Sequence, residues 1–277
     1  MSIRSFRWIP WLLLVASAAQ AAEPLGLFYD NSFVNMEAYQ RPGAMLITGN
    51  CNPQAPQFAA ARAGGAEVLR YLNPIDVYDH MPCKLTADFF EGGNAPLWPA
   101  VQGRQRINYK KTHLADIRAN SPWSDHVVAY VEQLMREGSV DGVFLDVVGA
   151  RLWGDLAQWK QWSPAERDAW TLGCVDLVRR IDERRRAMNP KFLVVTNNLW
   201  DRGDTLGLEG ERHVDGIMLE HPRIDRAHEE YAQRAYGDLG HRRLLVIART
   251  EEDAEVWDKL PGVTHVSHQQ KYDHPDQ

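Results

Sequence analysis

Eight short apolar runs rich in β-branched residues recur along the chain, and polar or amphipathic stretches separate them. Such alternation is typical of βα units around a parallel sheet, whose strands are apolar throughout because both faces are buried. The runs are residues 25–30, 44–50, 67–74, 141–148, 191–198, 214–221, 242–250 and 263–269. Helical patterns lie between them, notably at 124–138, 164–189, 225–239 and 251–260.

This pattern predicts an α/β fold, a (β/α)8 or TIM barrel in a single domain, because roughly 250 residues match one such barrel. The stretch 75–123 is rich in Pro, Gly and aromatic residues. It is longer than one crossover helix requires, which indicates an elaborated loop over the active face. The ending KYDHPDQ is too short and polar for a closing helix. We therefore expect the barrel to lack its last helix or to be closed by another segment.

The N-terminus, residues 1–21, has the composition of a secretory signal peptide. Arg4 and Arg7 precede an apolar run from Trp8 to Ala19, and small residues follow. We expect cleavage before Ala22, which leaves a barrel domain over 22–277 and an exported protein, either periplasmic or secreted. The run is short for a bilayer span, and no later stretch approaches the ~20 apolar residues of a membrane helix. Membrane insertion is therefore not expected after signal removal.

The net charge of the chain limits which partners it is expected to bind. Residues 1–21 carry two arginines and no acid, so their removal takes the formal net charge from −6 to −8. A negative chain is a poor partner for nucleic acid or an anionic membrane. We expect a monomer that binds a polysaccharide.

Three cysteines allow at most one disulfide within a monomer. Cys51 and Cys83 lie in loop-like stretches and are the expected pair in an oxidising compartment, whereas Cys174 falls in a helical pattern and is expected to be buried and free. No CxxC motif, no Cys/His cluster and no HxxxH spacing occurs, and the first strand lacks HxH. The sequence therefore predicts no metal site and no other cofactor.

The most informative motif occurs twice. Residues 140–146 read VDGVFLD, and 74 residues later residues 214–220 read VDGIMLE. Side chains alternate along a strand, so Gly142, Phe144 and Asp146 share one face, as do the equivalent residues of the second copy. If Asp146 points over the barrel axis, Glu220 does too. The two Asp-Gly pairs stand at the opposite ends of these strands, and we interpret Asp141 and Asp215 as structural turn residues.

Carboxylates at the carboxyl ends of two barrel strands are suited to glycoside hydrolysis. Barrel enzymes place their chemistry at that end. One acid protonates the departing oxygen while the other attacks the sugar or activates water. The alternative for each acid is a structural one, in which it caps the next helix or pairs with an arginine such as Arg151 or Arg223.

Other polar and aromatic residues fall at predicted strand ends or in the loops that follow. The polar side chains could bind sugar hydroxyls or orient a carboxylate, and exposed indoles could stack on sugar rings. The alternative is ordinary packing or a satisfied loop residue. The candidate substrate-binding residues are Tyr29, Asp30, Asn73, Trp98, Trp153, Asn197, Asn198, Trp200, His221, Arg249, His268 and Gln269.

VDGVFLD, TNN at 196–198, VDGIMLE and the stretch HLADIRANSPW at 113–123 resemble the endo-α-1,4-polygalactosaminidase family of glycoside hydrolases (family 114) and its barrel relatives. The resemblance covers most of residues 25–269. It implies a (β/α)8 barrel with catalytic acids on the fourth and sixth strands, at Asp146 and Glu220. It also implies a substrate of α-linked galactosamine or a similar amino-sugar polymer. The chain departs from the family pattern at Val147–Ala150 and in RYLNPIDVY, residues 70–78.

The sequence thus predicts an exported, metal-independent glycoside hydrolase, with Glu220 as general acid and Asp146 as nucleophile or base. Glutamate has the slightly higher intrinsic pKa, which suits the acid role. A non-catalytic carbohydrate-binding barrel that acts in polysaccharide export or assembly is the alternative, and the departures from the family pattern support it. A metal-dependent hydrolase is disfavoured because the usual ligand spacings are missing.

Overall fold

In the computed structural model, the described residues form a nearly closed α/β barrel. They are 26–33, 36–50, 52, 55–78, 112–152, 156–197, 200, 205–222, 230 and 241–268. The barrel strands are β1 (Leu27–Tyr29), β2 (Met45–Thr48), β3 (Glu67–Leu72), β6 (Gly142–Leu145), β7 (Leu193–Asn197), β8 (Gly216–Glu220), β9 (Arg243–Ala248) and β10 (His265–His268). Adjacent strands pair in parallel in this order, and a bridge between Gly26 and Val266 joins the first strand to the last. Each of the eight predicted apolar runs contains one of these strands, so the predicted fold is confirmed.

Helices lie between the strands on the outside of the barrel. They are α1 (Met36–Tyr39), α2 (Pro56–Ala63), α3 (Pro122–Glu137), α4 (Leu156–Gln161), α5 (Pro164–Met188), α6 (Thr205–Glu211) and α7 (Glu251–Asp258). Ser121 and Ser163 cap α3 and α5, each followed by proline in the first turn, a combination that satisfies the free amides of a helix start. None of the described helices is both long and apolar enough to span a membrane. The predicted helix at 225–239 and the chain after 268 lie outside the described residues.

Two hydrophobic clusters separate the inside of the barrel from the helical layer. The inner cluster contains Leu69, Phe144, Val195 and Met218, among other residues from alternate strand positions. The intervening positions, such as Leu145, pack outward against the helices. Strand alternation therefore places the side chains as the sequence predicts, with both copies of the repeated motif in the same phase.

The Asp-Gly pairs explain why the motif is repeated. Asp141 accepts a hydrogen bond from the Val68 amide at 2.9 Å, and Asp215 accepts one from the Val194 amide at 3.0 Å. Each aspartate thus ties its strand to the preceding strand at the amino end of the barrel. Glycine follows because a β-carbon would lie 2.4 Å from a neighbouring carbonyl oxygen, that of Leu193 at Gly142 and that of Arg243 at Gly216. The structural interpretation of both aspartates is confirmed.

The long segment after β3 begins and ends on a small antiparallel sheet. β4 (Asp76–Tyr78) pairs with β5 (Thr112–Leu114), and the Trp123 indole donates to the Pro74 carbonyl at 2.7 Å. The chain therefore departs at residue 78 and returns at residue 112 beside the carboxyl end of β3. Residues 79–111 lie outside the described residues.

Cys174 lies on α5, fully buried and without a disulfide partner, as the helical pattern predicts. Burial raises the pKa of its thiol to about 12. Cys51 and Cys83, the predicted disulfide pair, lie outside the described residues.

Candidate active site

The two carboxylates of the repeated motif lie at the carboxyl end of the barrel. Asp146 follows β6 directly, and its amide donates to the Leu72 carbonyl at 2.8 Å. Glu220 is the last residue of β8. Since Phe144 and Met218, two positions earlier, belong to the inner cluster, alternation directs both acids over the barrel interior.

Both acids precede a residue in the left-handed region of backbone space. Val147 has φ 60° and His221 has φ 49°. A β-branched residue rarely adopts this conformation, which costs on the order of 1–3 kcal/mol and is maintained only where the surroundings enforce it. The amide of His221 donates to the Ile247 carbonyl at 2.7 Å. The chain thus turns sharply after each acid, and strained backbone of this kind is concentrated at functional sites.

Asn197 connects the two carboxylates. It ends β7, the strand between those that carry the acids, and its Nδ2 donates to Asp146 Oδ1 at 2.6 Å. The same side chain is hydrogen-bonded to Glu220. Its Oδ1 is buried and accepts no hydrogen bond from the described residues. A single amide therefore spans the pair and leaves one acceptor available at its centre.

Asp146 accepts two further hydrogen bonds. The Tyr71 hydroxyl donates to Oδ2 at 2.6 Å, and the Val147 amide donates to Oδ1 at 2.8 Å. Together with Asn197, three donors point at this carboxylate. Such donors stabilise the charged form of a carboxylic acid.

Glu220 has the opposite environment. Burial, and secondly the negative charge of Asp146, raise the pKa of Glu220 to about 7, while the hydrogen bond from Asn197 acts in the other direction. The side chain retains access to solvent, so this burial is that of an open cleft rather than of the closed core. Both causes favour the protonated form of the Glu220 side chain.

His221 follows Glu220 directly. Burial, followed by the positive charge of the exposed Arg249, lowers the pKa of His221 and favours its neutral ring. Within the described ranges, no group of three His, Cys, Asp or Glu side chains is arranged to hold a metal ion.

Several predicted binding residues have structural contacts. Tyr29 lies buried in the inner cluster. The carboxylate of Asp30 is buried and accepts hydrogen bonds from the Ser32 amide at 2.9 Å and the Tyr39 hydroxyl at 3.3 Å. Asn73 builds the turn into β4, since its Oδ1 accepts the Asp76 amide at 3.1 Å. Tyr29 packs edge-on against the Tyr71 ring, while Asp30 and Asn73 stabilise turns at the carboxyl end of the barrel.

Two other predicted residues face away from the interior. Trp200 is 1% exposed, its indole donates to Thr196 Oγ1 at 2.9 Å, and its ring packs against Gly210. No free indole face is therefore available for a sugar at this position. His268 pairs in register with Ala248, which packs in the outer cluster, so it too points toward the helical layer. Trp98, Trp153, Asn198 and Gln269 lie outside the described residues.

Sequence reasoning missed Tyr71. Its ring lies 5.5 Å from Tyr29 and 6.0 Å from Phe144, centroid to centroid, at the carboxyl end of β3. The available signal was alternation, which places Leu69, Tyr71 and Asn73 on the inner face of one strand. A polar aromatic residue at that point of a barrel strand is within reach of acids on the next strand.

Neither the protein-family models nor the curated proteins compared with this chain contain a match. Solved structures do match it. The glycoside hydrolase domain of PelA from Pseudomonas aeruginosa has a TM-score of 0.57 and 12% identity, over 89% of this chain and 94% of that chain. Ega3 from Aspergillus fumigatus, in complex with galactosamine, has a TM-score of 0.54 and 10% identity, over 91% and 93%.

A third match is a cycloisomaltooligosaccharide glucanotransferase from Paenibacillus, complexed with cycloisomaltoheptaose. It has a TM-score of 0.53 and 11% identity, over 81% of this chain and 38% of that chain. At such low identity the three matches establish a shared fold with carbohydrate-active barrels.

Proposed function

We propose that the protein is a glycoside hydrolase that cleaves an exported amino-sugar polymer of α-linked galactosamine type. The observation that carries this proposal is the pair formed by Asp146 and Glu220. Their carboxylates meet through Asn197 at the carboxyl end of the barrel, in environments that favour opposite protonation states.

The two environments assign the two roles. Glu220, with its pKa raised to about 7, can deliver a proton to the departing glycosidic oxygen near neutral pH. Asp146, which accepts three hydrogen bonds, is suited to remain charged and to attack the anomeric carbon or activate water. If Asp146 attacks, water then cleaves the resulting glycosyl ester and gives its proton to the ionised Glu220, which restores both acids. If Asp146 instead activates water, it takes the water proton itself, and exchange with solvent reprotonates Glu220 and deprotonates Asp146 before the next turnover.

The hydrogen-bond acceptors at the carboxyl end of the barrel favour a substrate rich in hydrogen-bond donors. Both carboxylates and Asn197 Oδ1 are acceptors. Hydroxyl and amino groups of a sugar would satisfy them, and an unpaired buried acceptor costs about 1–3 kcal/mol until it is satisfied. The Ega3 structure, which shares the fold, contains galactosamine, and the resemblance of VDGVFLD and VDGIMLE points to the same sugar class.

Reducing-end release from partly deacetylated galactosamine and glucosamine polymers tests the proposal. The unmodified protein should release reducing ends, while Asp146→Asn and Glu220→Gln should not. Asp215→Asn is the matched control, because it alters the acid at the other end of the Glu220 strand and should retain turnover. Release by the Asp146→Asn variant at the unmodified rate would refute the carboxylate mechanism.

The same polymers distinguish catalysis from binding alone. Retained affinity in a sedimentation assay without release would favour the non-catalytic carbohydrate-binding barrel. If release occurs, proton NMR of the first product separates the two roles of Asp146, since retention of anomeric configuration requires a nucleophile and inversion requires a base.

Export is part of the proposal and rests on residues 1–21. Expression of the whole chain in a bacterium, followed by fractionation and mass measurement, should give a periplasmic or secreted form that begins at Ala22. An uncleaved cytoplasmic form would contradict this part alone.

A further inference from the structure

The Tyr71 hydroxyl on β3 donates a hydrogen bond to Asp146. The other described donors to Asp146, the Val147 amide and Asn197, belong to the segment after β6 and to β7. The Tyr71 contact joins β3 to the residue after β6, two strands that are adjacent in the barrel. Its length, 2.6 Å, is that of a charge-assisted O–H···O hydrogen bond.

The ring of Tyr71 is held in place without its hydroxyl. Tyr29 meets it edge-on at 5.5 Å, with the ring planes at 77°, and Phe144 lies 6.0 Å away on the adjacent strand. Both neighbours belong to the inner cluster. Removal of the hydroxyl alone should therefore leave the ring in position, which separates the role of the hydrogen bond from the role of packing.

The hydrogen-bond donors are distributed unequally between the two carboxylates. Asn197 contacts both Asp146 and Glu220, whereas the hydroxyl of Tyr71 contacts Asp146. His221 follows Glu220 directly, and the charge of Arg249 acts on His221.

We propose that Tyr71 is a positioning residue that keeps Asp146 ionised and oriented while Glu220 carries the proton, so that the roles of the two acids do not exchange. This inference rests on the proposed function for its kinetic consequences. The hydroxyl donates its hydrogen bond to Oδ2 throughout, and no proton transfer from Tyr71 is involved.

The test compares Tyr71→Phe with Asn197→Ala in the pH dependence of kcat/KM on partly deacetylated galactosamine polymer. In Tyr71→Phe the acid limb, set by Asp146, should move up by about one pH unit while the alkaline limb stays in place. In Asn197→Ala both limbs should move up, because both acids lose a donor. For Tyr71→Phe we expect kcat to fall about ten-fold with little change in KM.

Tyr39→Phe is the matched control. Tyr39 also donates to an aspartate, Asp30, at the same end of the barrel, so its loss should lower stability without moving either limb. An unchanged acid limb in Tyr71→Phe would overturn the proposal, as would an equal movement in Tyr39→Phe.

A measurement without substrate keeps the two proposals distinguishable. The carboxyl carbon of Asp146, assigned by its absence in Asp146→Asn, can be titrated by carbon-13 NMR in the unmodified protein and in Tyr71→Phe. A higher apparent pKa in Tyr71→Phe supports the positioning role even if no polymer is cleaved, in which case the proposed function alone fails. Identical titrations would reject the role of Tyr71 even in an active hydrolase.

Discussion

The two ends of the barrel hold acidic side chains in contrasting environments. At the amino end, Asp141 and Asp215 accept hydrogen bonds from neighbouring strands and pair with arginines, Arg62 in one case and Arg185 and Arg242 in the other. At the carboxyl end, the acids of the same two strands meet each other.

The difference is one of electrostatic compensation. A carboxylate with a cationic partner and a backbone donor is satisfied and contributes rigidity. When two acids lie close together, the charged form of one of them is disfavoured. Here burial, and secondly the charge of Asp146, raise the pKa of Glu220. Each of these two strands therefore carries a structural acid at its start and a proposed catalytic acid at its end, and substitutions at the two ends should separate stability from turnover.

The largest effect is expected at the carboxyl end. Asp146→Asn should reduce turnover of the galactosamine polymer by at least ~10³-fold, because the amide can neither attack nor accept a proton. The melting temperature should change little, since the amide oxygen can still accept from Asn197 and the Val147 amide, while the amide nitrogen can donate to the Tyr71 hydroxyl oxygen. The reducing-end assay measures turnover, and calorimetry measures the melting temperature. Loss of the folded state in Asp146→Asn would show that Asp146 has a structural role.

At the amino end the pattern should reverse. Asp215→Asn should cost about 2 kcal/mol of unfolding free energy, because the buried Arg185 loses one of its two carboxylate partners and keeps only Asp182, which Arg186 and His213 share, among the described residues. Turnover per folded molecule should stay within two-fold. Urea unfolding and specific activity measure the two quantities, and a large loss of kcat with unchanged stability would contradict the division of roles.

A smaller effect is expected from Glu220→Gln, and its size depends on pH. The pKa of Glu220 is raised in the folded state, so the folded protein favours the protonated side chain. Stability from this group is present below the ordinary pKa of glutamate and is lost as pH rises through about 7.

The neutral side chain of the Glu220→Gln variant does not ionise, so the variant does not lose stability as pH rises. Glu220→Gln should therefore raise the melting temperature by roughly 2 °C at pH 8, a modest gain because solvent screens the charge, and should leave it unchanged at pH 4. Melting curves at both pH values measure the difference. A gain of equal size at pH 4 would mean that packing, and not charge, is responsible.

The fold could be predicted from the sequence because the strands of a parallel barrel produce local sequence patterns. Apolar runs mark strands, and alternation fixes which side chains face inward, so Phe144 and Met218 could be placed before the structure was known. The Asp-Gly pairs were interpretable for the same reason, since their roles depend on one strand and its immediate neighbour.

Contacts between strands were less predictable. The hydrogen bond between Tyr71 and Asp146 depends on the register of β3 against β6, which no local pattern encodes. Trp200 shows the same limit: a loop position suggested exposure, but Gly210 on α6 leaves space for the ring and buries it. The positive φ values of Val147 and His221 are likewise imposed by the surrounding structure.

The smallest expected effect completes the comparison within the amino end. Asp141→Asn should cost only about 1 kcal/mol, because its side chain is 29% exposed and Arg62 is 37% exposed, whereas the corresponding values for Asp215 and Arg185 are 6% and 11%. Water can solvate Arg62 when its partner loses charge, but it reaches Arg185 poorly. Urea unfolding of both variants under one condition gives the ratio directly. Equal losses would show that strand tethering, and not burial of the ion pair, determines what each aspartate contributes.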